Sequence, residues 1–482
     1  MEFLPIVMAA GTGSRMTHLT VQCPKALLPV GNYPMIYYPI HMLERYGFQE
    51  VIVVVFDAYE AEIRKVLREN CGVTIKMEFV GIPHTEEWGT AETLQHIRDR
   101  IQTDILVVGC DLITDLDLNQ VANVHRKHNA SVTVLLSKLP ESGDLPTPGQ
   151  KGKSEPEKVC FGTDELEERL LMTKTVADMD EGGEALSARQ LKIYPHMRIR
   201  TTFTDCHMYL MKKWVVDYLA YSKDCKKMTS IREELLPRIV KKQFPSGKRL
   251  KKSRSMWKKP VSELEQDLVD DLSLMIPNIN ELPDIYAFSE HAAEQKKSSD
   301  IKKLAQEMSS WYDPRGQEAV ENDVIRCFTY IQSTGFCMRT NTIGTYCEAN
   351  RQISKVIETL VPGIKGKGLI HPSATIKDKS QIGPDCLVAE GVVIGEKVSV
   401  KRSIIGKKCI IGDKAKIANS VIMDDVVIGE SCIVMNCVIG SSASLGEKCE
   451  LKDSVIGHAT QLAAMSKYSN EVITDVEGSM EV

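Results

Sequence analysis

The sequence predicts an α/β domain built on a parallel sheet, followed by a three-sided parallel β-helix. In the first 140 residues, short apolar runs typical of buried strands alternate with segments of helical spacing, a pattern typical of a parallel sheet covered by helices. From Ile370 onward, aliphatic residues recur every six positions, which is the period of a β-helix with one short strand per side. The 482 residues are enough for two hydrophobic cores.

Composition and charge argue against a nucleic-acid-binding, secreted or membrane-spanning protein. The net charge of −5 argues against bulk electrostatic binding of nucleic acid. The apolar start is not a signal peptide, because Glu2 lies where basic residues would begin and Pro5 interrupts the run. The fourteen cysteines include no Cys-x-x-Cys pair, and no apolar run reaches the length of a membrane span. We therefore expect a protein of the cytoplasm, in the reducing cytosol, with no membrane partner.

A glycine-rich loop follows the first predicted strand. The apolar run 3–10 leads into the segment 11–16, which reads GTGSRM. Lys25, directly after Pro24, lies nine residues beyond the end of that segment. Glycines let backbone N–H groups approach an anion, and Arg15 and Lys25 add positive charge, so the loop is a candidate phosphate site. A tight turn explains a Gly-x-Gly equally well. The dinucleotide fingerprint fails because residue 16 is Met, and the P-loop pattern fails because no Gly-Lys-Ser/Thr follows.

The next elements place two polar segments where ligands bind in such sheets. We predict helices and strands in alternation over 34–46, 51–55, 58–68, 73–80, 90–101 and 104–108. The segment 89–92, which reads GTAE, begins the last of these helices, where Thr90 is a candidate cap, and Asp111 follows the last strand. Ligands of parallel sheets lie beyond the carboxyl ends of the strands, so both segments are candidate site residues.

Two insertions interrupt this domain. The segment 140–158 is rich in Pro, Gly, Lys and Glu and has no apolar periodicity, so we expect it to be flexible. The segment 244–313 is also expected to be flexible and contains a basic cluster over 248–259. Nuclear targeting or RNA binding is one interpretation of that cluster, but the acidic run 263–271 favours a solvated, self-compensating insertion. Strands over 324–332 and 335–339 return the chain to the domain.

The C-terminal repeats give the clearest periodic pattern in the chain. The period becomes 17, as in the column Ile394, Ile411, Ile428 and Leu445. Three strands per turn, each with one inward aliphatic residue, make a three-sided parallel β-helix. Four cysteines lie four places after a column residue, where a small apolar side chain is expected, and are predicted core residues: Cys386, Cys409, Cys432 and Cys449. Acyl transfer, a common activity of such helices, is disfavoured because the only histidines in the repeats lie at their ends.

The segment 9–30 resembles the signature loop of the sugar-1-phosphate nucleotidyltransferases, G-G-x-G-T-R-L followed by P-K-x-L-L-P-V. The chain departs from it with Ala10, Ser14, Met16 and His18. The resemblance implies a Rossmann-like α/β nucleotidyltransferase-like domain in which the GTA segment at 89–91 lies near the base. It also implies that Asp111 lies at the position of a Mg²⁺ ligand. On the residues alone, a turn-forming role explains Asp111 equally well.

The match to active members of that family weakens further along the chain. No E-K-P segment occurs in the region 159–172, and Asp205 lies where the family has Asn. Nucleotidyl transfer depends on positioning and on charge neutralisation, so these losses predict an inactive site with no catalytic residue, no metal and no cofactor. The residues predicted to remain as a vestigial nucleotide-binding site are Gly11, Gly13, Arg15, Lys25, Gly89 and Thr90.

The whole chain resembles a family with this domain order, a nucleotidyltransferase-like domain followed by a left-handed parallel β-helix of hexapeptide repeats. It is shared by subunits of eukaryotic translation initiation factor 2B and by the related GDP-mannose pyrophosphorylases. Segments that resemble the initiation factor are 110–115, 148–153, 348–352 and 470–473. The chain ends soon after its last coil, so the catalytic helical domain of the epsilon subunit is expected to be absent.

The resemblance implies a non-catalytic subunit of the guanine-nucleotide exchange factor for initiation factor 2, which supports GDP/GTP exchange during translation initiation. Its expected partners are the epsilon, alpha, beta and delta subunits, with initiation factor 2 as substrate and no direct contact to nucleic acid. The alternative is a sugar-1-phosphate nucleotidyltransferase similar to GDP-mannose pyrophosphorylase. The predicted domains are 1–345, a connecting helix or linker 346–369, the β-helix 370–460 and a tail 461–482.

Overall fold

The structure is a computed structural model of the chain. It describes residues 2–83, 88–139, 146–150, 158–180, 186, 188–222, 225–244, 325–361 and 369–474. Most of the 244–313 insertion, including its basic cluster, lies outside these residues. Across the described ranges, no helix combines the length and the apolar composition that a membrane crossing requires.

The first part of the chain alternates strands and helices. Its strands are β1 Phe3–Met8, β2 Pro29–Val30, β3 Tyr33–Pro34, β4 Glu50–Phe56, β5 Lys76–Ile82, β6 Asp104–Gly109, β7 Leu112–Thr114, β8 Val132–Lys138, β9 Val159–Thr163, β10 Leu170–Thr175, β11 Arg198–Arg200, β12 Phe203–Met211, β13 Cys327–Gln332 and β14 Cys337–Arg339. Its helices are α1 Thr17–Thr20, α2 Tyr37–Arg45, α3 Glu60–Lys65, α4 Thr90–His96, α5 Leu118–Lys127, α6 Val176–Asp180, α7 Ala188–Ile193, α8 Lys213–Tyr221, α9 Leu236–Lys242 and α10 Ile343–Leu360. π-Helical turns at Val66–Asn70 and Ile231–Leu235 follow α3 and precede α9.

The main sheet has seven strands in the order β13-β8-β12-β6-β1-β4-β5. Within the first 140 residues β1, β4, β5 and β6 are parallel, so the predicted parallel sheet is confirmed there. β12 runs antiparallel to both β6 and β8, a reversal that the alternation of elements did not predict. The helix predicted over 34–46 begins later, because Pro34 pairs with Pro29 in the β2–β3 hairpin.

Alternation along the buried strands divides the domain into two hydrophobic cores. Val7, Val53 and Val108 face the core that contains α2 and α10. Ile6 and Ile52 face the opposite core, which contains α4, α8 and α9. Since successive side chains of a strand point to opposite faces, this partition is what an unbroken apolar strand in a two-sided sheet produces.

The C-terminal part is the predicted left-handed β-helix. Its three sheets have six parallel strands each, and the inward column pairs Ile394 with Ile411 and Ile411 with Ile428 in register. The four cysteines predicted to fill the core are buried. The strands are β15 Thr375–Ile376, β16 Gln381–Ile382, β17 Leu387–Val388, β18 Val393–Ile394, β19 Ser399–Lys401, β20 Ile404–Ile405, β21 Ile410–Ile411, β22 Lys416–Ala418, β23 Val421–Ile422, β24 Val427–Ile428, β25 Ile433–Met435, β26 Val438–Ile439, β27 Ser444–Leu445, β28 Glu450–Lys452, β29 Val455–Ile456, β30 Gln461–Leu462, β31 Lys467–Ser469 and β32 Val472–Ile473.

The structure corrects two predicted boundaries. The β-helix does not end at residue 460, because β30, β31 and β32 add another coil and run to Ile473. The columns continue through it as Leu462, Tyr468 and Ile473, the middle one aromatic rather than aliphatic. The connecting segment begins at Ile343 with a packed helix, α10, which Thr342 caps by accepting a hydrogen bond from Thr345 N.

The two parts of the chain share one hydrophobic core. Outward residues of one β-helix face, among them Leu387, Val421 and Val455, belong to the same buried cluster as the α/β domain. Gly31 N donates to Asn350 Oδ1 at 2.9 Å and fixes α10 to the β2–β3 hairpin. The β-helix is therefore packed against the domain rather than suspended from a linker.

The described centre of the 140–158 insertion lies against the β-helix. Gly149 N donates to Asp453 O at 2.8 Å, and Asn436 Nδ2 donates to Pro146 O at 2.8 Å. Gly149 has a φ of 76°, and a Cβ there would lie 2.6 Å from the Val472 side chain. A glycine is required at this contact, both for the backbone angle and for the close approach.

Candidate functional site

Asp111 lies where the sequence places it, directly beyond the carboxyl end of β6. Its backbone carbonyl accepts hydrogen bonds from Thr340 N and Thr340 Oγ1, at 2.8 and 2.9 Å. A Cβ at Gly109 would lie 2.6 Å from both Asp111 Oδ1 and His207 Nδ1. The glycine at the end of the strand therefore allows the carboxylate and the imidazole to converge on the same point.

Two basic side chains bind the Asp111 carboxylate. Lys25 Nζ lies 2.6 Å from Asp111 Oδ2, and Arg339 Nε lies 3.2 Å from the same oxygen. Lys25 begins a single 3-10 turn after Pro24, and Arg339 ends β14, where it pairs with Leu112 of β7. The side chain of Asp111 is 4% exposed, against 11% for Lys25 and 16% for Arg339. We call these three residues the charge triad.

The charges of the triad set the protonation states around it. Burial acts to raise the pKa of Asp111, but Arg339 and Lys25 outweigh it and hold that pKa well below its usual value. Burial acts to lower the pKa of Arg339, and Asp111 overcomes this and raises it. Burial, with the nearby Arg339, lowers the pKa of His207 to about 3. Asp111 and Arg339 are thus ionised at neutral pH and His207 is neutral.

His207 lies in a bulge of β12 between residues 205 and 209, where the pairing with β8 changes register. Its φ is 56°, in the left-handed region that few non-glycine residues adopt. Asp205 holds this bulge, since Oδ1 accepts from His207 N at 2.7 Å and Oδ2 accepts from Tyr209 OH at 2.6 Å. Asp205, which lies where the related family has Asn, therefore has its carboxylate committed to the fold.

The site does not fit the Mg²⁺ that the resemblance implies. Such an ion takes several oxygen ligands, whereas the side chain that converges with Asp111 beside Gly109 is the imidazole of His207, which offers a nitrogen atom. Asp111 Oδ2 already holds two cationic groups, and a third positive charge beside them is disfavoured. Within the described ranges, no group of three or more His, Cys, Asp or Glu side chains converges as metal ligands would.

Most residues of the glycine loop are exposed, unlike the buried Asp111. Gly13 has a φ of 72° and begins the 3-10 turn Ser14–Met16, and a Cβ there would lie 2.8 Å from the Thr20 side chain. Gly11 and Arg15 are exposed, and a Cβ at Gly11 would meet nothing within 4 Å. Of the predicted nucleotide-binding residues, Lys25 is the one that the described structure brings to Asp111.

Gly89 and Thr90 serve the packing of α4. A Cβ at Gly89 would lie 2.1 Å from Thr229 O, so the close approach of the two backbones requires glycine. Gly89, not Thr90, is the N-cap, with its N–H bound to Glu92 Oε2 at 2.8 Å. Thr90 Oγ1 instead accepts from Ile231 N at 3.0 Å. The prediction that Thr90 caps its own helix is wrong, because the hydroxyl serves a neighbouring turn.

Sequence reasoning missed Arg339. The segment 335–339 was predicted as a strand, and β14 confirms a strand at Cys337–Arg339. No spacing rule connects Arg339 with Asp111, which lies 228 residues earlier, or with Lys25, which lies a further 86 residues toward the N-terminus. The signal that was present is a basic residue at the end of a strand otherwise made of apolar and thiol side chains.

Two family descriptions match the chain. "Nucleotidyl transferase" matches residues 4–143, and "EIF2B subunit epsilon LbH domain" matches residues 367–474, where LbH denotes the left-handed β-helix. The two matches coincide with the first half of the α/β part and with the β-helix of the structure.

Individual relatives are similar over different lengths. The translation initiation factor eIF2B subunit gamma of Dictyostelium discoideum is 28% identical over 438 residues, which cover 85% of this chain and 88% of that protein. The subunit of the same name in Schizosaccharomyces pombe is 26% identical over 408 residues, which cover 83% of this chain and 74% of that protein. The mannose-1-phosphate guanyltransferase of Yarrowia lipolytica is 30% identical over 141 residues, 28% of this chain and 38% of the enzyme.

Proposed function

We propose that the chain, which is similar to the gamma subunits of eIF2B along most of its length, is a non-catalytic subunit of the guanine-nucleotide exchange factor for initiation factor 2. It supports GDP/GTP exchange during translation initiation and does not itself transfer nucleotides. Its partners are the epsilon, alpha, beta and delta subunits, in the cytosol.

One observation carries the non-catalytic part of the proposal. The carboxylate at the family's metal position is bound by Lys25 and Arg339 of the same chain. Transfer of a nucleotidyl group requires cations on the phosphates of the substrate. Here the lysine of the signature loop is engaged with Asp111, and Asp111 is engaged with Arg339. The carboxylate that would hold the metal and the lysine that would meet the phosphates are therefore already paired with charges of this chain.

The predicted nucleotide-binding residues support a retained fold rather than a retained activity. Gly89 and Thr90 contact the segment 229–231, and the amide of Ala91 donates to Thr229 O at 2.8 Å. The first turn of α4 is thus closed by protein groups. We propose that the glycine loop and this turn are vestiges of a nucleotide site and now serve as scaffold.

The test of the assembly is purification of the tagged full-length chain from its own cells, with mass spectrometry of the bound proteins. We expect the other four subunits and initiation factor 2. In a reconstituted assay, adding the chain to the epsilon subunit should speed release of fluorescent GDP from initiation factor 2, and the chain alone should release little. Recovery of self-associated chains without translation factors would refute the proposal.

A separate assay tests the absence of nucleotidyl transfer. Pyrophosphate release from GTP or ATP is measured with mannose-1-phosphate or glucose-1-phosphate and Mg²⁺, for the parent chain and for Asp111→Asn. We expect both proteins to give the background rate. Turnover by the parent that is lost in the variant would establish an enzyme and would favour the pyrophosphorylase alternative.

A further inference from the structure

Two cysteines from different elements meet beside the charge triad. Cys206 Sγ and Cys337 Sγ are 3.5 Å apart, the first in the bulge of β12 and the second at the start of β14. Cys206 is fully buried, whereas Cys337 is only half-buried. The two residues are 131 positions apart in the chain, so tertiary structure alone brings them together.

The two thiols differ in reactivity. The hydrogen bond from Cys206, with Thr114 and Ser137 nearby, lowers the pKa of Cys337. Burial raises the pKa of Cys206 well above its usual value. The thiolate is the reactive form of cysteine, so Cys337 is the nucleophile on both counts, access and ionisation, and Cys206 stands behind it in the protein interior.

We propose that Cys206 and Cys337 are an oxidation site, which a hydroperoxide converts into an intramolecular disulfide. The Cys337 thiolate attacks one peroxide oxygen, the O–O bond breaks, and the departing oxygen leaves as water or alcohol after taking a proton. Cys337 is then a sulfenic acid. The Cys206 sulfur, losing its proton, attacks the Cys337 sulfur and expels hydroxide, which leaves as water. Two thiols lose two electrons, and the peroxide gains them.

The required movement is small. A disulfide has an S–S distance of about 2.05 Å, so the sulfur atoms approach by about 1.5 Å from their present separation. The new bond joins β12 to β14, and these strands carry His207 and Arg339, respectively one and two residues beyond the cysteines. Oxidation therefore fixes the arginine of the triad to the bulge, in a chain whose proposed compartment keeps thiols reduced until an oxidant appears.

Cysteines of the β-helix provide an internal comparison. Cys432 and Cys449 lie on successive coils, but both are fully buried in the closed core. Each sulfur lies near a backbone carbonyl, Gly446 O at 3.0 Å and Ala463 O at 3.2 Å. Neither thiol has the access that Cys337 has, so we expect both to stay reduced under the same treatment.

The experiment exposes the full-length chain to hydrogen peroxide, blocks free thiols with an alkylating reagent under denaturing conditions, and maps the peptides by mass spectrometry. A peptide pair joined through Cys206 and Cys337 should appear at peroxide concentrations that leave Cys432 and Cys449 alkylated. Sulfinic acid at Cys337 with Cys206 fully alkylated would overturn the proposal. So would disulfides that join other cysteines first.

Single variants separate the two roles. In Cys206→Ser, Cys337 should proceed to the sulfinic acid because no thiol is present to resolve it. In Cys337→Ser, Cys206 should remain alkylated, and Cys347→Ser on α10 serves as the control that leaves the cross-link intact. The parent mapping decides the proposal even if a variant is unstable. Equal oxidation of Cys206 in the parent and in Cys337→Ser would contradict the assigned order.

Discussion

At the scale of single residues, the charge on Asp111 is balanced by side chains of the same chain instead of by a bound ion. A buried carboxylate that loses a partner keeps the cost of desolvation without the compensating attraction. Lys25 arrives from the N-terminal loop and Arg339 from a strand more than three hundred residues later. The triad therefore joins the two ends of the α/β part through one oxygen atom.

Replacing Arg339 with Met should lower the free energy of unfolding by about 2–4 kcal/mol, because Asp111 is then left with Lys25 alone. Urea unfolding followed by tryptophan fluorescence measures the loss. Arg200→Met is the matched control, since Arg200 pairs with Glu167 at the surface with its side chain 42% exposed, and should cost less than about 1 kcal/mol. Asp111→Asn added to Arg339→Met should recover part of the loss. Equal costs for Arg339→Met and Arg200→Met would show that the triad does not stabilise the fold.

His207 should make the protein sensitive to mild acid. Its pKa is about 3 in the folded chain, against about 6.5 when unfolded, so below pH 6.5 the unfolded chain binds a proton that the folded chain does not. Stability should therefore fall as pH falls, by about 2–3 kcal/mol between pH 6.5 and 4.5 from this residue. His207→Asn, which tolerates the φ of 56°, should show a correspondingly smaller loss across that range. Parallel pH profiles for parent and variant would disprove the assignment.

At the scale of elements, periodicity predicted the β-helix and alternation predicted the parallel strands, because both patterns reflect which side chains are buried. Boundaries were less predictable. The coil that ends at Ile473 was missed since Tyr468 replaces the aliphatic residue of its column. The predicted connecting segment starts at residue 346, whereas α10 starts at Ile343, directly after its cap Thr342. The reversal of β12 had no local signal.

The candidate site was less predictable than the fold. Asp111 was predictable as a candidate site residue because ligands collect at the carboxyl ends of parallel strands. Arg339 was not, since a contact between residues 228 positions apart leaves no periodic trace. Thr90 and Gly89 were identified as special residues, but the partner that explains them, the segment 229–231, becomes their neighbour only in the folded chain.

One strand of the β-helix offers a matched pair for testing the inward columns. Ile411 is 2% exposed and Ile410, its neighbour in β21, is 49% exposed. Ile411→Asp places a carboxylate without a partner inside the coil and should abolish cooperative unfolding of the C-terminal part or leave the protein insoluble. Ile410→Asp should change the unfolding free energy by less than about 0.5 kcal/mol. Circular dichroism during urea unfolding distinguishes them, and similar behaviour of the two variants would reverse the assigned faces.

At the scale of the whole molecule, one hydrophobic cluster extends from the α/β domain across the covered face of the β-helix. His458, which precedes the last coil of the β-helix, contributes to this contact. His458 Nδ1 accepts from Ser441 N at 3.0 Å, which leaves Nε2–H to donate to Leu19 O, also at 3.0 Å. A common core and polar contacts of this kind couple the unfolding of the two parts.

Val421→Asp should uncouple the unfolding of the α/β part from that of the β-helix. Val421 is 4% exposed and lies in the shared cluster, whereas Val427, the first residue of the next strand, is 41% exposed and serves as the control. Trp88 and Trp214 lie in the described α/β part and no tryptophan follows α10, so fluorescence does not report on the β-helix, whereas far-ultraviolet circular dichroism reports on both parts. We expect coincident transitions for the parent and for Val427→Asp, and separated transitions for Val421→Asp. Coincident curves in all three would mean that the shared cluster does not couple the parts.

The coil of 17 residues also gives the molecule a unit of length. From Val388 onward, partners in register are 17 residues apart, and neighbouring strands of a sheet are separated by about 4.8 Å. Duplicating or deleting one coil would move the end of the solenoid by one such step and keep its three faces in phase. Removing only part of a coil, such as a single strand, would take the remaining strands out of register with the sheets they belong to. The length of the β-helix can therefore be changed by whole coils without disturbing its core.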